Sequence, residues 1–317
     1  MKKKRIYRIR NWKEYNKSLI KRGNITIWVS EDAIGKWLAK KAKGVGRPRI
    51  YSNDAILCAL MIKAVYRLPL RALEGFLNSI FTLLSVCIPV PSYSQISRRS
   101  SELGQEIKRL TEGKQITDIV IDSSGLKVFG EGEWKIRKHG KSKRRTWRKI
   151  HLAVCPHTKE VVLSLLTDNK ESDGEVFVKM AEHLPDTVER SYGDGAYDKS
   201  PCYKKCYERG IQPIFPPQKG AVLHDLEKEP WMGERNDAIQ MISALGDDET
   251  AREIWRNITG QYKQSLAENA MYRYKTLFGS GLMSRRLDRQ KGEAFGRSLA
   301  MNQMTQLGMP KGEWVSK

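Results

Sequence analysis

Residues 116–129 of the chain read ITDIVIDSSGLKVF, and this stretch decides the fold that we predict for the second part of the molecule. Isoleucine and valine fill positions 119–121, further apolar residues follow at 126, 128 and 129, and a Ser-Ser-Gly segment (123–125) separates the two runs. Apolar, β-branched runs are typical of strands, whereas Ser-Ser-Gly is typical of turns. We therefore predict a strand, a tight turn and a second strand.

The sequence that follows continues this pattern. KIHLAVCP (149–156) and KEVVLSLLT (159–167) are two further apolar runs, and they predict an antiparallel meander of three or four strands. Four segments come next: a helical stretch (173–184), a short strand (188–195), a second helical stretch (198–209) and an extended segment (211–217). An antiparallel start followed by strand, helix and strand predicts an α+β fold, a mixed sheet with helices on its faces.

The first part of the chain differs, because its apolar residues recur at helical spacing. Residues 54–66 and 70–86 form two predicted helices. Ser92 and Gln95 have the spacing of a capping box, which predicts that a third helix begins at this point.

Short β-branched runs begin only after about residue 116, and this change marks a domain boundary. We predict a helical, basic region at 1–112 and a second domain at 113–317. A segment at about 220–260 interrupts the second domain, and we interpret it as a helical or irregular insertion.

Four arginines of the first region are candidate DNA ligands. Arg98 and Arg99 lie in the first two turns of the third helix. Three short helices with arginines at that place resemble a helix-turn-helix, whose last helix reads the major groove. An ordinary helical bundle with a solvated basic face explains them equally well. Arg47 and Arg49 flank Pro48 in GRPR, a shape suited to a narrow minor groove, although a basic linker is an equal alternative.

Composition limits the class of protein. The 317 residues include 57 lysines and arginines against 36 aspartates and glutamates, a formal net charge of +21, which favours nucleic acid as the partner. The longest apolar run (55–65) is shorter than the roughly 20 residues that span a bilayer, and no signal-peptide pattern follows the basic N terminus, so we expect a cytoplasmic protein. Five cysteines at irregular spacing argue against a disulfide framework and against a zinc site.

Three aspartates lie in or after predicted strands. Asp122 lies among isoleucine and valine, where a carboxylate needs a partner, unless it sits exposed at the strand end and caps the turn. Asp194 stands between Gly193 and Gly195, which allow backbone or a ligand to approach closely, although a plain turn also explains the motif. Asp198 is better explained as the N-cap of the helix that follows it.

A further carboxylate, Glu268, lies in a strongly helical stretch that ends at Gly279. At 3.6 residues per turn, Glu268, Tyr272 and Lys275 share one helix face, which is also a common arrangement for a surface ion pair. Together with Asp122 and Asp194, this glutamate forms a set of hard oxygen ligands that suits two magnesium ions. Such a pair of ions stabilises an in-line displacement at phosphorus.

A basic run, WKIRKHGKSKRRTWRK (134–149), contains nine lysines and arginines among 16 residues. Runs of this kind are usually solvated or disordered. Predicted strands on both sides favour a positively charged hairpin that clamps a DNA backbone. Its candidate DNA ligands are Arg137, Lys138, Arg144, Arg145, Arg148 and Lys149.

Several long motifs together resemble the DDE transposases of bacterial insertion sequences, in the group typified by insertion sequence five. The motifs are IDSSGLKVFGEGEWKIRKHG, TWRKIHLAV, DGAYD, PPQKGA and SLAENAMYRYKTLFG, with NWKEYNKSLIKRGNITIW, LPLRALEGFLNSIFTLL and PSYSQISRRS in the first region. The resemblance covers most of the chain. It implies a ribonuclease-H-like catalytic core in which Asp122, Asp194 and Glu268 bind Mg²⁺, two ions with Mn²⁺ as a substitute.

The same resemblance implies the reaction and the partners. Such an enzyme cuts double-stranded DNA at the transposon ends, and the freed 3′ hydroxyl attacks target DNA. Lys275 and Arg273 would hold phosphate, and we expect a homo-oligomer, at least a dimer, on DNA. The expected location is the nucleoid in the bacterial cytoplasm.

One departure from the family pattern bears on activity. Related sequences carry Tyr-x2-Arg-x3-Glu-x6-Lys around the glutamate, whereas this chain has Gln261 and Gln264 at the first two positions, with Tyr262 and Lys263 one residue out of register. A glutamine offers phosphate only a neutral donor. A DNA-binding regulator that does not cut is therefore the alternative function.

Overall fold

The computed structural model describes residues 5–40, 48–104, 107–111, 113–128 and 147–316. The helices and strands in chain order are β1 (Arg5–Ile9), α1 (Trp12–Lys21), α2 (Ile25–Trp28), α3 (Glu31–Gly35), α4 (Asn53–Tyr66), α5 (Leu70–Leu83), α6 (Tyr93–Leu103), β2 (Asp118–Val128), β3 (Trp147–Val154), β4 (Val161–Thr167), α7 (Asp173–Ala181), β5 (Arg190–Tyr192), α8 (Ser200–Glu208), β6 (Gln212–Ile214), α9 (Gly233–Ala244), α10 (Glu249–Thr259), α11 (Ser265–Phe278), β7 (Gly281–Leu282), α12 (Leu287–Leu307) and β8 (Gly312–Ser316).

The chain divides into two compact units. One comprises Met1–Arg99 and Leu299–Lys317, and the other comprises Ser100–Ser298. The domain boundary that we place near residue 112 stays a prediction. Among the described residues, no helix combines the length and the apolar character needed to cross a membrane.

The first unit contains the predicted helices. On α5, Leu73, Leu77 and Phe81 recur every four residues and are all buried, so one face of the helix forms the core contact. The predicted capping box begins α6, because the backbone N–H of Ser92 donates to the Gln95 side chain and that of Gln95 donates to the Ser92 hydroxyl. The predicted helices and the predicted capping box are confirmed. The helix-turn-helix assignment stays a prediction.

The same unit contains a two-stranded antiparallel sheet that the sequence did not reveal. Its strands β1 and β8 pair from Arg5↔Ser316 to Ile9↔Gly312. The two strands are short and come from opposite ends of the chain, so no local pattern indicates that they pair.

The second unit is built on a mixed sheet with the strand order β4-β3-β2-β5-β6, and β7 pairs with the far end of β2. Strands β2, β3 and β4 are antiparallel neighbours, whereas β5 runs parallel to both β2 and β6. The predicted α+β class with a mixed sheet is therefore confirmed. A core packed with aliphatic and aromatic side chains joins the sheet to α7 and α8; it includes Ile119, Ile121, Ala153, Phe177, Met180, Tyr197, Cys202, Tyr203 and Phe215.

The tight turn predicted at residues 123–125 is wrong, because β2 runs without interruption from Asp118 to Val128. All three residues pair with β3, in the register Ser123↔His151, Ser124↔Ile150 and Gly125↔Lys149. A Cβ on Gly125 would lie 3.2 Å from the ring of Trp147. The glycine therefore serves close packing against a tryptophan of the neighbouring strand, and not a change of chain direction.

Candidate active site

Asp122 lies on β2, and Asp194 comes just after the end of the neighbouring parallel strand β5. Every residue pair between β2 and β5, from Asp118↔Arg190 to Val120↔Tyr192, differs by 72 in residue number. The same offset puts Asp194 opposite Asp122, just beyond the last residue of β5. Adjacent strands lie about 4.8 Å apart, so the two residues lie at the same end of the sheet.

The backbone around Asp194 has a tight local structure. Its Oδ1 accepts a hydrogen bond of 2.9 Å from the N–H of Ala196 and caps a short 3₁₀ helix, residues 195–197. A Cβ on Gly193 would lie 2.7 Å from the ring of Tyr197. Position 193 therefore requires glycine because the ring of Tyr197 packs against it. The predicted turn around Asp194 is present, and a role of the same aspartate in metal binding stays a prediction.

Glu268 lies in the first turn of α11, midway between two residues that fasten this segment to the sheet. Seven residues before it, buried Gln261 donates from Nε2 to the carbonyl oxygen of Gly193 at 3.2 Å. Seven residues after it, Lys275 donates from Nζ to Oγ of Ser124 at 2.6 Å. Gly193, which Gln261 contacts, is next to Asp194. Ser124, which Lys275 contacts, is two residues after Asp122. The helix that carries Glu268 is therefore attached to the same end of the sheet.

Electrostatics connect these side chains. Burial, followed by the negative charges of Asp194, Glu268 and Asp173, raises the pKa of Asp122 to about 6, against one opposing hydrogen bond from the N–H of Ser123. The charges of the other carboxylates therefore reach Asp122. An ionised carboxylate in this position is unfavourable unless a cation joins it.

The donor set fits a hard divalent cation, since Mg²⁺ and Mn²⁺ prefer carboxylate oxygens and keep some of their water. Among the described residues, no three histidine, cysteine, aspartate or glutamate side chains lie close enough to enclose a metal ion by themselves. Carboxylates of like charge repel, and a cation placed between them would remove that repulsion. The roles of Asp122, Asp194 and Glu268 as metal ligands stay a prediction.

The prediction that Asp198 caps α8 is wrong. Lys199 occupies the N-cap position of that helix, and no side chain caps it. The carboxylate of Asp198 is buried instead and accepts hydrogen bonds from Arg235 Nε at 2.7 Å and Tyr203 Oη at 3.1 Å. A third bond comes from the backbone N–H of Gln218. A buried arginine offers an aspartate a stronger partner than a helix N terminus does.

Four of the predicted DNA ligands lie in the described part of this unit. Three of them donate hydrogen bonds within the chain, and the fourth interacts electrostatically with a lysine. Lys149 donates to Oδ1 of Asp173 at 3.2 Å, and Arg148 donates from Nε to Gln290 at 3.0 Å. Lys275 donates to Ser124, as above. The charge of Arg273 reaches Lys159, whose pKa is lowered first by burial.

In the first unit, Arg49 and Arg98 are exposed, whereas Arg99 donates to the carbonyl oxygen of Tyr51 and to the side chain of Asn53. The other predicted DNA ligands, Arg47, Arg137, Lys138, Arg144 and Arg145, lie outside the described residues, and so does most of the predicted basic hairpin.

Sequence reasoning missed a buried carboxylate, Asp118, at the beginning of β2. It accepts hydrogen bonds from Arg190, His157 and Lys263 at 2.7, 3.0 and 3.1 Å. Lys263 also donates to Oη of Tyr192 at 3.2 Å. The lysine that stands one residue away from the family's arginine position is therefore part of an ion cluster inside the chain.

Comparison with known families identifies the chain. Two family profiles, each described as a transposase DDE domain, match residues 20–131 and 113–303, and the second match covers more than half of the chain. The chain belongs to the DDE transposase family. Members of this family carry out transposition, a form of DNA recombination, on bound DNA through a DDE motif, and they typically use a divalent metal ion.

Individual proteins similar to this DDE-family chain are distant. An uncharacterized protein of Aquifex aeolicus (strain VF5) is 26% identical over 171 residues, which are 49% of this chain and 51% of the relative. The chain thus spans about half the length of this curated relative.

Two solved structures overlap it loosely. The Drosophila P element transposase strand transfer complex is 11% identical, covers 83% of this chain and 82% of its own, and has a TM-score of 0.28. The piggyBac transposase synaptic complex with hairpin DNA is 11% identical, covers 96% and 84%, and has a TM-score of 0.26. Overlaps this loose do not define the fold, which the strand order describes on its own.

The raised pKa of Asp122 makes the metal-free fold less stable as the pH rises. In the unfolded chain the carboxyl ionises near its ordinary pKa of 3.8, but in the folded chain it ionises only near 6. The folded state therefore holds a proton that the unfolded state has lost, and stability falls as the pH rises through this window. With allowance for partial exposure, the penalty at pH 7 is about 1–2 kcal/mol.

We therefore expect Asp122→Asn to raise the Tm at pH 7 by roughly 2–8 °C in a buffer with a chelator, and to change it little at pH 4. Thermal denaturation followed by circular dichroism measures this. Asp237→Asn, at an exposed aspartate of α9, is the matched control and should leave the Tm within about 1 °C. A lower Tm for Asp122→Asn at pH 7 would contradict the proposed destabilisation by the ionised carboxylate of Asp122.

Proposed function

We propose that the chain is a DNA transposase that binds the terminal inverted repeats of an insertion sequence, cleaves DNA strands there and joins them to target DNA. Membership in the DDE family gives the chemistry its class. The observation that carries the proposal is that the negative charges of Asp194, just after β5, and Glu268, on α11, both act on the carboxylate of Asp122 on β2.

The strand order of the second unit supports a ribonuclease-H-like core. Three antiparallel strands are followed by two that run parallel to the central strand. Asp122 lies on the central strand, and Asp194 comes just after its parallel neighbour. Within the family, we assign the chain to the insertion-sequence-five-like group, near the transposase of insertion sequence nine-zero-three. The first region, with α4, α5 and α6, would be the helix-turn-helix part that binds terminal DNA.

Asp122, Asp194 and Glu268 would hold the divalent metal, two Mg²⁺ ions with Mn²⁺ as a substitute. When bound, the ions supply Lewis-acid stabilisation of the oxygens at the reacting phosphorus. The residues of the chain orient this set: Gln261 fixes the segment before α11 beside Asp194, and Lys275 carries a cation to the same end of β2. Arg98, Arg49 and the lysines and arginines of the basic run would contact DNA phosphate.

The partners would be double-stranded DNA and further copies of the chain. Paired transposon ends need at least a dimer, and the expected place of action is the nucleoid in the bacterial cytoplasm. These assignments rest on the family and on the formal charge of +21.

Cleavage of a labelled duplex that carries the element's own ends tests the proposal. With Mg²⁺ or Mn²⁺ we expect strand cuts at the repeat boundary and strand-transfer products in a supercoiled plasmid. A duplex with scrambled repeats should react at least about 10-fold more slowly, since one lost base contact alone costs about 1–3 kcal/mol. Equal cutting of both duplexes would instead indicate a general nuclease.

A non-cutting regulator derived from a transposase is the second candidate. Gln261 and Gln264 are buried and carry no charge. Lys263, the nearest cation, forms an ion pair with Asp118. This segment therefore lacks the arginine that would contact DNA phosphate in related sequences. Specific binding to the terminal repeats without any cutting in Mg²⁺ or Mn²⁺ would favour this candidate.

A further inference from the structure

Helix α11 and the short 3₁₀ helix that precedes it both contact strand β2. Lys263 donates from Nζ to Oδ2 of Asp118 at 3.1 Å, and Lys275 donates from Nζ to Oγ of Ser124 at 2.6 Å. The strand is continuous, and side chains at even separations along a strand lie on the same face of a sheet. Both contacts therefore lie on the face that also carries the side chain at position 122.

The spacing of the two contacts is the same on the helix and on the strand. From Asp118 to Ser124 the strand rises by six residues, which is about 20 Å. From Lys263 to Lys275 the helical chain rises by twelve residues, which is about 18 Å. Helix and strand therefore run side by side in the same direction, and Glu268 lies between the two points of attachment.

Asp118 is a buried and charged anchor for this arrangement. Its side chain has no exposed fraction, and it also accepts hydrogen bonds from Arg190 and His157. Burial acts to raise the pKa of this carboxyl, but the hydrogen bonds from its three partners outweigh burial and hold the pKa below its ordinary value. The carboxylate is therefore ionised at neutral pH, and its bond to Lys263 is a charge-assisted one.

Two of the partners of this carboxylate belong to elements that are held in place in different ways. Arg190 lies on β5, whose backbone pairs with β2 and with β6. Lys263 lies in the 3₁₀ helix Gln261–Gln264, which side chains attach to the sheet: Lys263 bonds to Asp118 and Tyr192, and Gln261 bonds to the carbonyl oxygen of Gly193. Loss of the arginine should leave its strand in place, whereas loss of the lysine releases the segment that leads into α11.

We propose that Lys263 is a positioning residue: its ion pair with Asp118 fixes α11 along β2 and so places Glu268 in the site. This inference rests on the function proposed above, because it concerns the site of that function. Related sequences carry an arginine one residue later, where this chain has the buried Gln264. The cation of this segment thus fixes the helix to the sheet and does not contact DNA phosphate.

The single-turnover rate of DNA cleavage tests the proposal. We expect Lys263→Met to lower the rate about 10- to 100-fold on a duplex with the element's own ends, because groups that orient metal ligands have effects of this size. The affinity for the same duplex in a gel-shift assay should stay within about threefold, since the lysine is bonded within the chain and makes no phosphate contact. A fall in rate without a fall in DNA affinity distinguishes positioning from DNA binding.

Mn²⁺ binding to the full chain without DNA, followed by electron paramagnetic resonance of free Mn²⁺, gives a second measurement. Lys263→Met should raise the dissociation constant about 10-fold, because the displaced helix carries one of the proposed ligands. Lys263→Arg retains the cation and should recover most of the affinity and most of the cleavage rate. Circular dichroism checks that each variant is folded.

Arg190→Met is the matched control. It removes a cation from the same carboxylate and leaves the bond between Lys263 and Asp118, so it should lower the Tm but change neither the cleavage rate nor Mn²⁺ binding. Equal losses in Arg190→Met and Lys263→Met would overturn the proposal, because the lysine would then act only on stability. An unchanged rate and an unchanged Mn²⁺ affinity in Lys263→Met would overturn it as well.

The two measurements separate this inference from the function on which it rests. If the unsubstituted chain binds Mn²⁺ but cuts no DNA, the proposed transposase activity fails, and the Mn²⁺ affinity of Lys263→Met still decides the positioning role. If the unsubstituted chain cuts its own ends and Lys263→Met cuts them equally fast, the function stands and the positioning role fails. If the unsubstituted chain neither binds Mn²⁺ nor cuts, both fail.

Discussion

Replacement of Asp122, Asp194 or Glu268 by alanine is expected to abolish DNA cleavage, with a fall of at least about 1000-fold in the single-turnover rate. Loss of one preorganised charge-stabilising group in an active site typically costs 100- to 1000-fold, and a missing metal ligand removes more than one such interaction. The rate is measured on a labelled duplex with the element's own ends in Mg²⁺ and in Mn²⁺.

Terminal-repeat binding provides the internal control for this prediction. The three variants should bind the duplex in a gel-shift assay with affinity within about threefold of the unsubstituted chain, because removal of a carboxylate does not remove a phosphate contact. Asp237→Ala removes an exposed carboxylate from α9 and should leave cleavage unchanged. Full cleavage by all three triad variants would refute the assignment of the site.

The elements of the second unit were largely readable from the sequence, because their apolar runs are long enough to bury. Helix α11 and strands β3 and β4 lie where periodicity predicts them. The error in β2 has a specific cause: Ser-Ser-Gly favours a turn locally, but pairing with β3 and the ring of Trp147 beside Gly125 override that preference. Local propensity carries no information about a strand's partner.

The site was readable only in part. Asp122, Asp194 and Glu268 each had a plausible structural explanation, and only their combination favoured a metal site. Their common location depends on the register between β2 and β5 and on the side-chain bond from Gln261 to Gly193. Both are tertiary features.

The prediction for Asp198 failed because it considered only neighbouring residues in the sequence. The carboxylate precedes a helix and therefore has the pattern of an N-cap, yet its partner Arg235 lies 37 residues away in the predicted insertion. Nη1 of Arg235 also donates to the carbonyl oxygen of Val222 at 2.9 Å. One buried ion pair thus fastens α9 and the segment before it to the loop that follows the site.

Arg235→Met is expected to destabilise the chain by about 3–5 kcal/mol, which lowers the Tm by roughly 10 °C. The side chain of Asp198 is 1% exposed, so the variant leaves a carboxylate in the interior with only Tyr203 and the N–H of Gln218 as partners. Arg256→Met is the matched control, because that arginine pairs with Glu249 at the surface and contributes at most about 1 kcal/mol. Thermal denaturation of both variants gives the comparison.

A double-mutant cycle distinguishes the ion pair from simple packing. If the buried charge causes the loss, Asp198→Asn combined with Arg235→Met should be less destabilised than the sum of the two single variants, because the second change removes the charge that the first one leaves unpaired. Additive losses would mean that the two side chains stabilise the chain independently. In that case apolar contacts would hold the insertion. The hydrogen bond from Gln261 to the carbonyl oxygen of Gly193 would then position the loop after Asp194.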